Sequence, residues 1–238
     1  MTKVLERINR VKENIKRACD KANRDPSEVK LVVVTKSATF DEIKKVIHAG
    51  FTDLGENRVQ QLKKIAAQVD EFLEKDGQQL PQKINWHMIG HLQRNKVRQV
   101  LPMICLIHSV DTLRLAEEIN AVAAKLNLKP KILLQVNTSG EPQKYGVPVG
   151  AAIHLAEQIE TLPNLKFVGL MTMAPLTRDK NLIRFCFVRA RELFIEMKGE
   201  KIVGPEFTEL SMGMSSDYEI AVEEGATILR IGSAIFAG

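Results

Sequence analysis

Residues 31–55, LVVVTKSATFDEIKKVIHAGFTDLG, decide the fold because they contain one complete strand–helix–strand unit. The first strand candidate, Leu31–Lys36, is apolar on both alternating faces, which is typical of a parallel strand buried on both sides of its sheet. A helix candidate follows at Phe40–Ala49, and a second strand candidate lies at Asp53–Gly55. The predicted building block is therefore a pair of parallel strands joined by a helix.

The same alternation continues along the rest of the chain. The other strand candidates are Trp86–Gly90, Ile104–Val110, Lys131–Val136, Phe167–Met171, Glu209–Met212 and Thr227–Ile231. The other helix candidates are Val4–Ala22, Arg58–Val69, Gln93–Leu101, Leu113–Leu126, Val149–Glu160, Asn181–Met197 and Ser216–Glu224. Eight strands separated by helices in 238 residues predict an α/β fold, a (β/α)8 barrel of the TIM type with an extra N-terminal helix. An open doubly wound sheet is the alternative, but no GxGxxG motif follows the first strand.

The composition favours one globular domain over residues 1–238. Hydrophobic residues make up 45% of the chain and charged residues 26%, which suits a protein with a buried core. No Pro-, Gly- or Ser-rich linker is present, and the polar segment Asp70–Lys83 is predicted to be the longest surface excursion. No apolar run approaches the ~20 residues of a membrane-spanning helix, and the charged N-terminus lacks the apolar core of a signal peptide. We therefore expect a soluble cytoplasmic protein with no membrane partner.

The cysteines and the charge argue against two further classes of protein. The three cysteines lie far apart without a CxxC pair, so neither a disulfide framework nor a zinc ribbon is predicted. The formal net charge is +5, but the Lys and Arg residues are interspersed with Asp and Glu and form no long basic block. Aromatic residues are only 5% of the chain, so nucleic acid is not an expected partner. A mildly basic surface also suits a small anionic ligand.

The first predicted strand ends in a lysine, Lys36, at the place where such barrels carry their chemistry. A lysine in the barrel mouth is expected to be partly desolvated. Desolvation lowers the pKa of the ammonium group and makes Lys36 a candidate amine for a Schiff base. The alternative is a side chain that extends into solvent.

The next two strands end in polar residues that admit two interpretations. Asn57 follows the second strand and either belongs to the site or caps the next helix. His87 and His91 lie four residues apart on a strand and its loop, with no carboxylate to complete a ligand set, so no metal site is predicted. The basic stretch Arg94–Arg98 is interpreted as a solvated helix face.

The loops after the last two strands carry the strongest signal in the chain. They read SMGMSSD at residues 211–217 and RIGSA at residues 230–234. Small residues with hydroxyls and free backbone N–H groups form anion cradles, and barrels often bind phosphate with these two loops. Simple tight turns are the alternative. Arg230 stands inside an apolar strand, so its guanidinium is predicted to be buried against an acceptor.

A lysine, a buried arginine and a phosphate pocket at one barrel mouth suggest pyridoxal 5′-phosphate held as an imine on Lys36, although a sugar phosphate fits the same spacing. The sequence resembles the pyridoxal phosphate homeostasis family, whose fold is similar to the barrel domain of alanine racemase. The resemblance covers essentially the whole chain. Its specific segments are VVTK at 33–36, GENRVQ at 55–60, WHMIGHLQ at 86–93, LSMGMSSD at 210–217 and RIGSAIF at 230–236.

The resemblance implies a role for each of nine residues. Lys36 would carry the imine, Arg230 would face the pyridine nitrogen, and Asn57 and His91 would lie at the mouth near the ring. The residues that would surround the phosphate are Ser211, Met214, Ser215, Gly232 and Ser233. Two departures from the family pattern concern loop shape only: Ser37–Thr39 replaces a proline-containing turn, and the C-terminus has an extra alanine.

Arg230 also bears on catalysis. A guanidinium beside the ring nitrogen keeps that nitrogen unprotonated, which makes the ring a weaker electron sink. The resemblance implies that racemases take a second acid–base tyrosine from a separate domain, for which this chain has no residues. Neither Tyr145 nor Tyr218 has a sequence reason to replace it. We therefore expect no efficient amino-acid catalysis.

The predicted function is intracellular pyridoxal phosphate homeostasis, meaning storage, protection or delivery of the cofactor. The predicted protein is a monomer with apo-enzymes as transient partners. A single-domain racemase of low activity is the first alternative, and a Schiff-base aldolase or sugar-phosphate isomerase is the second. A nucleic-acid-binding module using Arg94–Arg98 is the third, and it requires steeply salt-dependent binding.

Overall fold

A parallel β-barrel lies at the centre of the computed structural model, which describes residues 3–76, 83–141 and 144–237. The strands found there are β1 (Lys30–Val34), β2 (Asp53–Glu56), β3 (Asn85–Met88), β4 (Ile104–Val110), β5 (Lys131–Asn137), β6 (Val147–Pro148), β7 (Lys166–Met171), β8 (Glu209–Ser211) and β9 (Ile228–Ile231). The pairings of β4 with β5 and of β1 with β9 close the barrel, and β6 adds to β5 outside the ring. The eight strands of the ring confirm the predicted (β/α)8 class.

Helices connect the strands and cover the outside of the barrel. They are α1 (Lys3–Lys21), α2 (Phe40–His48), α3 (Val59–Asp76), α4 (Val97–Val100), α5 (Leu113–Leu126), α6 (Val149–Glu160), α7 (Lys180–Gly199), α8 (Tyr218–Glu223) and α9 (Ser233–Phe236). The predicted bounds of α5 and α6 are confirmed. The extra N-terminal helix α1 packs against α2, α8 and α9, and so covers the seam where β1 and β9 close the barrel.

A capping box positions the start of α2. The Thr39 side chain accepts a hydrogen bond from the Glu42 N–H at 3.3 Å, and the Glu42 carboxylate accepts from the Thr39 N–H at 2.8 Å. These two bonds satisfy N–H groups that have no partner inside the helix. Because the cap lies three residues after Lys36, it defines the turn that carries this lysine.

The segment Asp70–Lys83 differs from its prediction as a surface excursion. Helix α3 continues through its first half to Asp76. The physical reason is that Phe72 and Leu73 pack against the core and so extend the apolar stripe of the helix. Residues 77–82 lie outside the described residues.

The basic stretch 94–98 also differs in detail. The predicted helix Gln93–Leu101 is divided into a 3-10 turn at Arg94–Lys96 and the short helix α4. Val97 and Val100 are buried and anchor α4, whereas Arg94 and Arg98 are exposed. The basic side chains are therefore on a solvated surface, as the sequence indicates.

Apolar side chains fill one part of the barrel interior and polar ones fill another. The larger apolar core lies between the barrel wall and the helices. A smaller apolar cluster inside the barrel consists of Val32, Leu106, Leu133, Val168, Met171 and Ile228. The interior also contains buried polar side chains, namely His87, His108, Ser211 and Arg230. Among the described residues, no helix is both long and apolar enough to cross a membrane.

Candidate functional site

The carboxyl ends of β1, β8 and β9 bring the main sequence-predicted residues to one edge of the barrel. β1 pairs with β9 in a register that sets Val32 beside Arg230 and Val33 beside Ile231. Lys36 follows the end of β1, and Gly232 follows the end of β9. The lysine and the loop after β9 therefore leave the barrel from neighbouring strands.

Lys36 is exposed, and this corrects the expectation that it is partly desolvated. β1 ends at Val34, two residues before the predicted strand end, so Lys36 lies in the turn that leads to α2. The backbone oxygen of Lys36 accepts a hydrogen bond from Gln61 Nε2 on α3 at 3.0 Å. The turn is thus held in place while the amine is accessible from solvent.

Glu56, at the end of β2, is a buried carboxylate close to Lys36. Thr35 Oγ1 donates a hydrogen bond to Glu56 Oε1 at 2.5 Å, and Oε2 is buried without a partner among the described residues. Burial raises the pKa of Glu56, although the bonds from Thr35 and the Asn57 N–H and the charge of Lys36 act in the opposite direction. In the sequence, Glu56 belongs to the polar cluster after the second strand and was not predicted as a site residue; a carboxylate that ends a strand is the signal that could have found it.

Two glycines allow the loops of the predicted phosphate cradle to approach the barrel closely. A Cβ on Gly232 would lie 2.9 Å from the Val34 carbonyl oxygen, and one on Gly213 would lie 2.5 Å from Ala221 Cβ. Gly213 also has φ of +93°, a conformation that favours glycine. Larger residues at these positions would push the loops away from the strand ends.

Hydrogen bonds join the two cradle loops and use part of their N–H groups. Ser215 Oγ accepts from the Gly232 N–H at 3.3 Å and from the Ala234 N–H at 3.0 Å, and the Met214 N–H donates to Asp217 at 2.6 Å. Within the described part of the chain, the N–H groups that donate to no acceptor in these loops are those of Gly213, Ser215, Ser216 and Ser233. The two loops thus form one unit with free donors.

Arg230 is buried, as predicted, with only 4% of its surface exposed. Its guanidinium donates to Ser211 Oγ at 2.6 Å and to the Thr172 carbonyl oxygen at 2.9 Å. Burial lowers the pKa of Arg230 to about 10, against the opposing effect of Asp217, so the group is still charged at neutral pH. Two fixed acceptors therefore hold one cation inside the barrel.

Ser211 lies apart from the cradle loops in its hydrogen bonding. Its Oγ accepts from Arg230 and lies 2.9 Å from His108 Nδ1, and the residue is fully buried at the end of β8. The structure thus brings Ser211 together with Arg230 and His108.

His108 is a site neighbour that was not predicted from the sequence. It lies fully buried in β4, and its Nε2 is 2.9 Å from His87 Nδ1. Burial, followed by the charges of His87, Arg230 and Lys30, lowers the pKa of His108 well below 6.5, so the imidazole is neutral at pH 7. A histidine inside the apolar run Ile104–Val110 is the signal that could have found it.

The neutral, buried His108 makes the folded state sensitive to acid. Below pH 6.5 the unfolded chain binds a proton at this position that the folded chain does not, so the free energy of unfolding falls by up to about 1.4 kcal/mol per pH unit. Urea unfolding from about pH 7.5 to 5.5 measures this slope. We expect His108→Gln, which can bond both neighbours, to flatten it, and His154→Gln, at an exposed histidine, to leave it unchanged. A slope equal in all three proteins would contradict this assignment.

The rim of the mouth consists of loops after β2, β3 and β5. His91 stacks on Tyr145, with ring centroids 4.5 Å apart and planes 18° from parallel. Both rings border a cavity of about 810 Å³ that Arg94 and Arg114 also line. The backbone of Asn57 lies close to the loop after β3. A Cβ added to Gly90 in that loop would lie 2.3 Å from the backbone oxygen of Asn57.

Two other sequence candidates face different parts of the molecule. His87 is buried and bonded to His108 and Asp53, whereas His91 is exposed at the rim. Tyr218 is buried outside the barrel, where its hydroxyl accepts from Asn14 Nδ2 at 2.7 Å. In the described ranges, no group of three or more His, Cys, Asp or Glu could hold a metal ion.

Comparison with known proteins gives consistent similarities along the chain. Residues 7–238 match the family model described as alanine racemase, N-terminal domain. The chain is 41% identical to a pyridoxal phosphate homeostasis protein of Aquifex aeolicus over 232 residues, which cover 97% of this chain and 96% of that protein.

Two solved structures extend the comparison to three dimensions. An unknown protein of Bifidobacterium adolescentis superimposes with a TM-score of 0.91 and 36% identity, covering 98% of this chain and 94% of that one. PipY of Synechococcus elongatus, solved with pyridoxal phosphate bound, superimposes with a TM-score of 0.79 and 32% identity, covering 94% of this chain and all of that one.

Proposed function

The chain belongs to the pyridoxal phosphate homeostasis family, and from this premise we propose that it binds pyridoxal phosphate at the carboxyl end of its barrel, as an imine on Lys36. The observation that carries the proposal is the convergence of three different groups on neighbouring strand ends. These groups are the exposed amine of Lys36, the N–H groups of the cradle loops and the buried guanidinium of Arg230. We infer that the protein serves the homeostasis of this cofactor in the cell.

The residues present fit the chemical parts of the cofactor. When bound, pyridoxal phosphate supplies a reactive aldehyde on an electron-withdrawing ring. Lys36 offers an amine for the aldehyde, and the unpaired Glu56 Oε2 offers a buried acceptor beside it. The free N–H groups of Ser215 and Ser233 suit a phosphate.

Within this assignment, Ser211 acts on the guanidinium. Since Ser211 Oγ accepts from Arg230 and has His108 Nδ1 as its other neighbour, we assign it to the support of Arg230. Met214 and Gly232 shape the cradle, because their own N–H groups are already bonded to Asp217 and Ser215. Asn57 and His91 are assigned to the rim near the ring.

A store or carrier needs an amine that other amines can reach. Lys36 is exposed, so the amine of a lysine on an apo-enzyme can approach and displace it from the cofactor. Storage, protection and delivery are therefore all compatible with the same geometry. We also propose a monomeric cytoplasmic protein whose partners are apo-enzymes.

A racemase of low activity is the second candidate, and the stacked pair of His91 and Tyr145 at the rim is the observation that favours it. Tyr145 is 58% exposed, and Tyr218 is bonded to Asn14 outside the barrel. Neither tyrosine is buried in the mouth, which supports a role in homeostasis. Measurement of the enantiomers formed from single amino acids separates the two candidates.

The absorption spectrum of the purified protein with added pyridoxal phosphate tests the proposal. We expect a visible imine band, and after borohydride we expect the mass of the chain to increase by one reduced cofactor. The test requires the intact protein at neutral pH, where Arg230 is charged. The absence of a band at saturating cofactor would overturn the proposal and leave a phosphate-binding barrel.

A further inference from the structure

A continuous chain of side-chain hydrogen bonds leads from Arg230 through the barrel interior. Arg230 donates to Ser211 Oγ at 2.6 Å, and Ser211 Oγ lies 2.9 Å from His108 Nδ1. His108 Nε2 lies 2.9 Å from His87 Nδ1, and His87 Nε2 lies 3.0 Å from Asp53 Oδ1. All members except Asp53 are at most 4% exposed. The proposed function gives no role to His87 or Asp53.

Only one direction of donation satisfies every group in this chain. Arg230 can only donate, so Ser211 Oγ accepts from it and gives its own hydrogen to His108 Nδ1. The neutral His108 then donates from Nε2 to His87 Nδ1, and His87 donates from its Nε2 to Asp53. In the opposite direction His108 would donate to Ser211, and the Ser211 hydroxyl hydrogen would find no acceptor among the described residues.

The far end of the chain lies at the amino-terminal face of the barrel. Asp53 begins β2, and its side chain is 20% exposed at a cavity of about 380 Å³ that Lys30 and Glu209 also line. Burial favours the protonated carboxyl group, but the hydrogen bond from His87 and the nearby positive charge outweigh it and lower the pKa of Asp53. Asp53 is therefore a carboxylate acceptor at neutral pH.

We propose that Asp53 is a positioning residue for the site at the opposite face of the barrel. By accepting from His87, it stabilises this direction from the far end of the chain, so that His108 Nδ1 accepts the Ser211 hydroxyl hydrogen and fixes the orientation of that hydroxyl beside Arg230. Ser211 and the Thr172 oxygen then hold the guanidinium, whose other N–H groups are left for a ligand. The part of this proposal that concerns the cofactor rests on the proposed function.

Asp53→Leu tests the proposal because it removes the acceptor at the end of the chain. Without this acceptor, we expect His87 to donate from Nδ1 to His108, and His108 to change from the Nε2–H to the Nδ1–H tautomer. Nitrogen-15 NMR of the histidines, recorded without added pyridoxal phosphate, measures this change. We also expect pyridoxal phosphate to bind roughly 2- to 30-fold more weakly, with a shifted visible band.

Two further variants separate positioning from general effects. Glu209→Gln is the matched control, since Glu209 lines the same cavity and accepts from Thr227 but is not in the chain. We expect it to change neither the tautomers nor the binding. Asp53→Asn keeps an oxygen acceptor for His87 and is expected to restore the wild-type tautomer of His108.

The outcomes are distinct. A folded Asp53→Leu protein with an unchanged His108 tautomer overturns the proposal, and so does an equal loss of binding in Glu209→Gln. If the leucine variant does not fold, the wild-type spectrum decides, because an Nδ1–H tautomer of His108 is incompatible with the proposed direction. If the wild-type protein binds no pyridoxal phosphate, the proposed function fails, whereas the tautomers still show whether Asp53 directs the chain.

Discussion

Lys36→Ala is expected to abolish the visible imine band completely and to prevent borohydride from attaching pyridoxal phosphate to the chain. The reason is that this substitution removes the amine on which the covalent bond depends. Because Lys36 is exposed, we expect the free energy of unfolding to change by no more than about 0.5 kcal/mol. Spectra before and after reduction, the mass of the reduced protein and urea unfolding measure the three quantities.

Two matched variants isolate the amine from its charge. Lys36→Arg keeps the positive charge but offers no amine of this kind, so it should lose the band as Lys36→Ala does. Lys144→Ala removes a lysine that follows β5 and pairs with Glu141, and it should keep the band. A band that persists in Lys36→Ala and disappears in Lys144→Ala would show that the imine forms on Lys144 and would contradict the assignment to Lys36.

Arg230→Met is expected to weaken pyridoxal phosphate binding by about 10- to 150-fold, the range for loss of a hydrogen bond to a charged group. The chain should still fold. The Thr172 oxygen loses its donor, at a cost of about 1–3 kcal/mol, but removal of a buried charge opposes this loss. Titration of the visible band measures the affinity, and urea unfolding measures the stability.

Arg230→Lys is the matched variant for this prediction. It keeps a positive charge but lacks the planar fork that reaches Ser211 and Thr172 together, so we expect an affinity between those of the wild type and Arg230→Met. Wild-type affinity in the methionine variant would show that Arg230 does not face the cofactor.

The order and type of the elements were accessible from the sequence because they depend on neighbours along the chain. The bounds of α5 and α6 agree with the prediction, and α5 begins where Thr112 caps it. Strand ends were less accessible. β1 ends at Val34, where its pairing with β2 stops, and no feature of the sequence from Val34 to Lys36 marks that point.

The candidate site likewise contains residues that the sequence indicates and residues that it does not. Lys36, Arg230 and the cradle loops stand out in the sequence, since each is chemically unusual at its place on a strand or loop. The hydrogen-bond chain that holds Arg230 cannot be recognised in the sequence, because its members Ser211, His108 and Asp53 come from three strands that are distant along the chain.

The physical reason lies in the range of the interactions. Alternating strands and helices, and the chemistry at the strand ends, are local, and they suffice for a barrel with a lysine and an anion cradle at its mouth. Burial and hydrogen-bond partners exist only after the barrel closes and brings donor and acceptor atoms of distant strands within about 3 Å of one another. Closure of the barrel therefore decides that Lys36 is exposed, that His108 is neutral and that Asp53 is connected to Arg230.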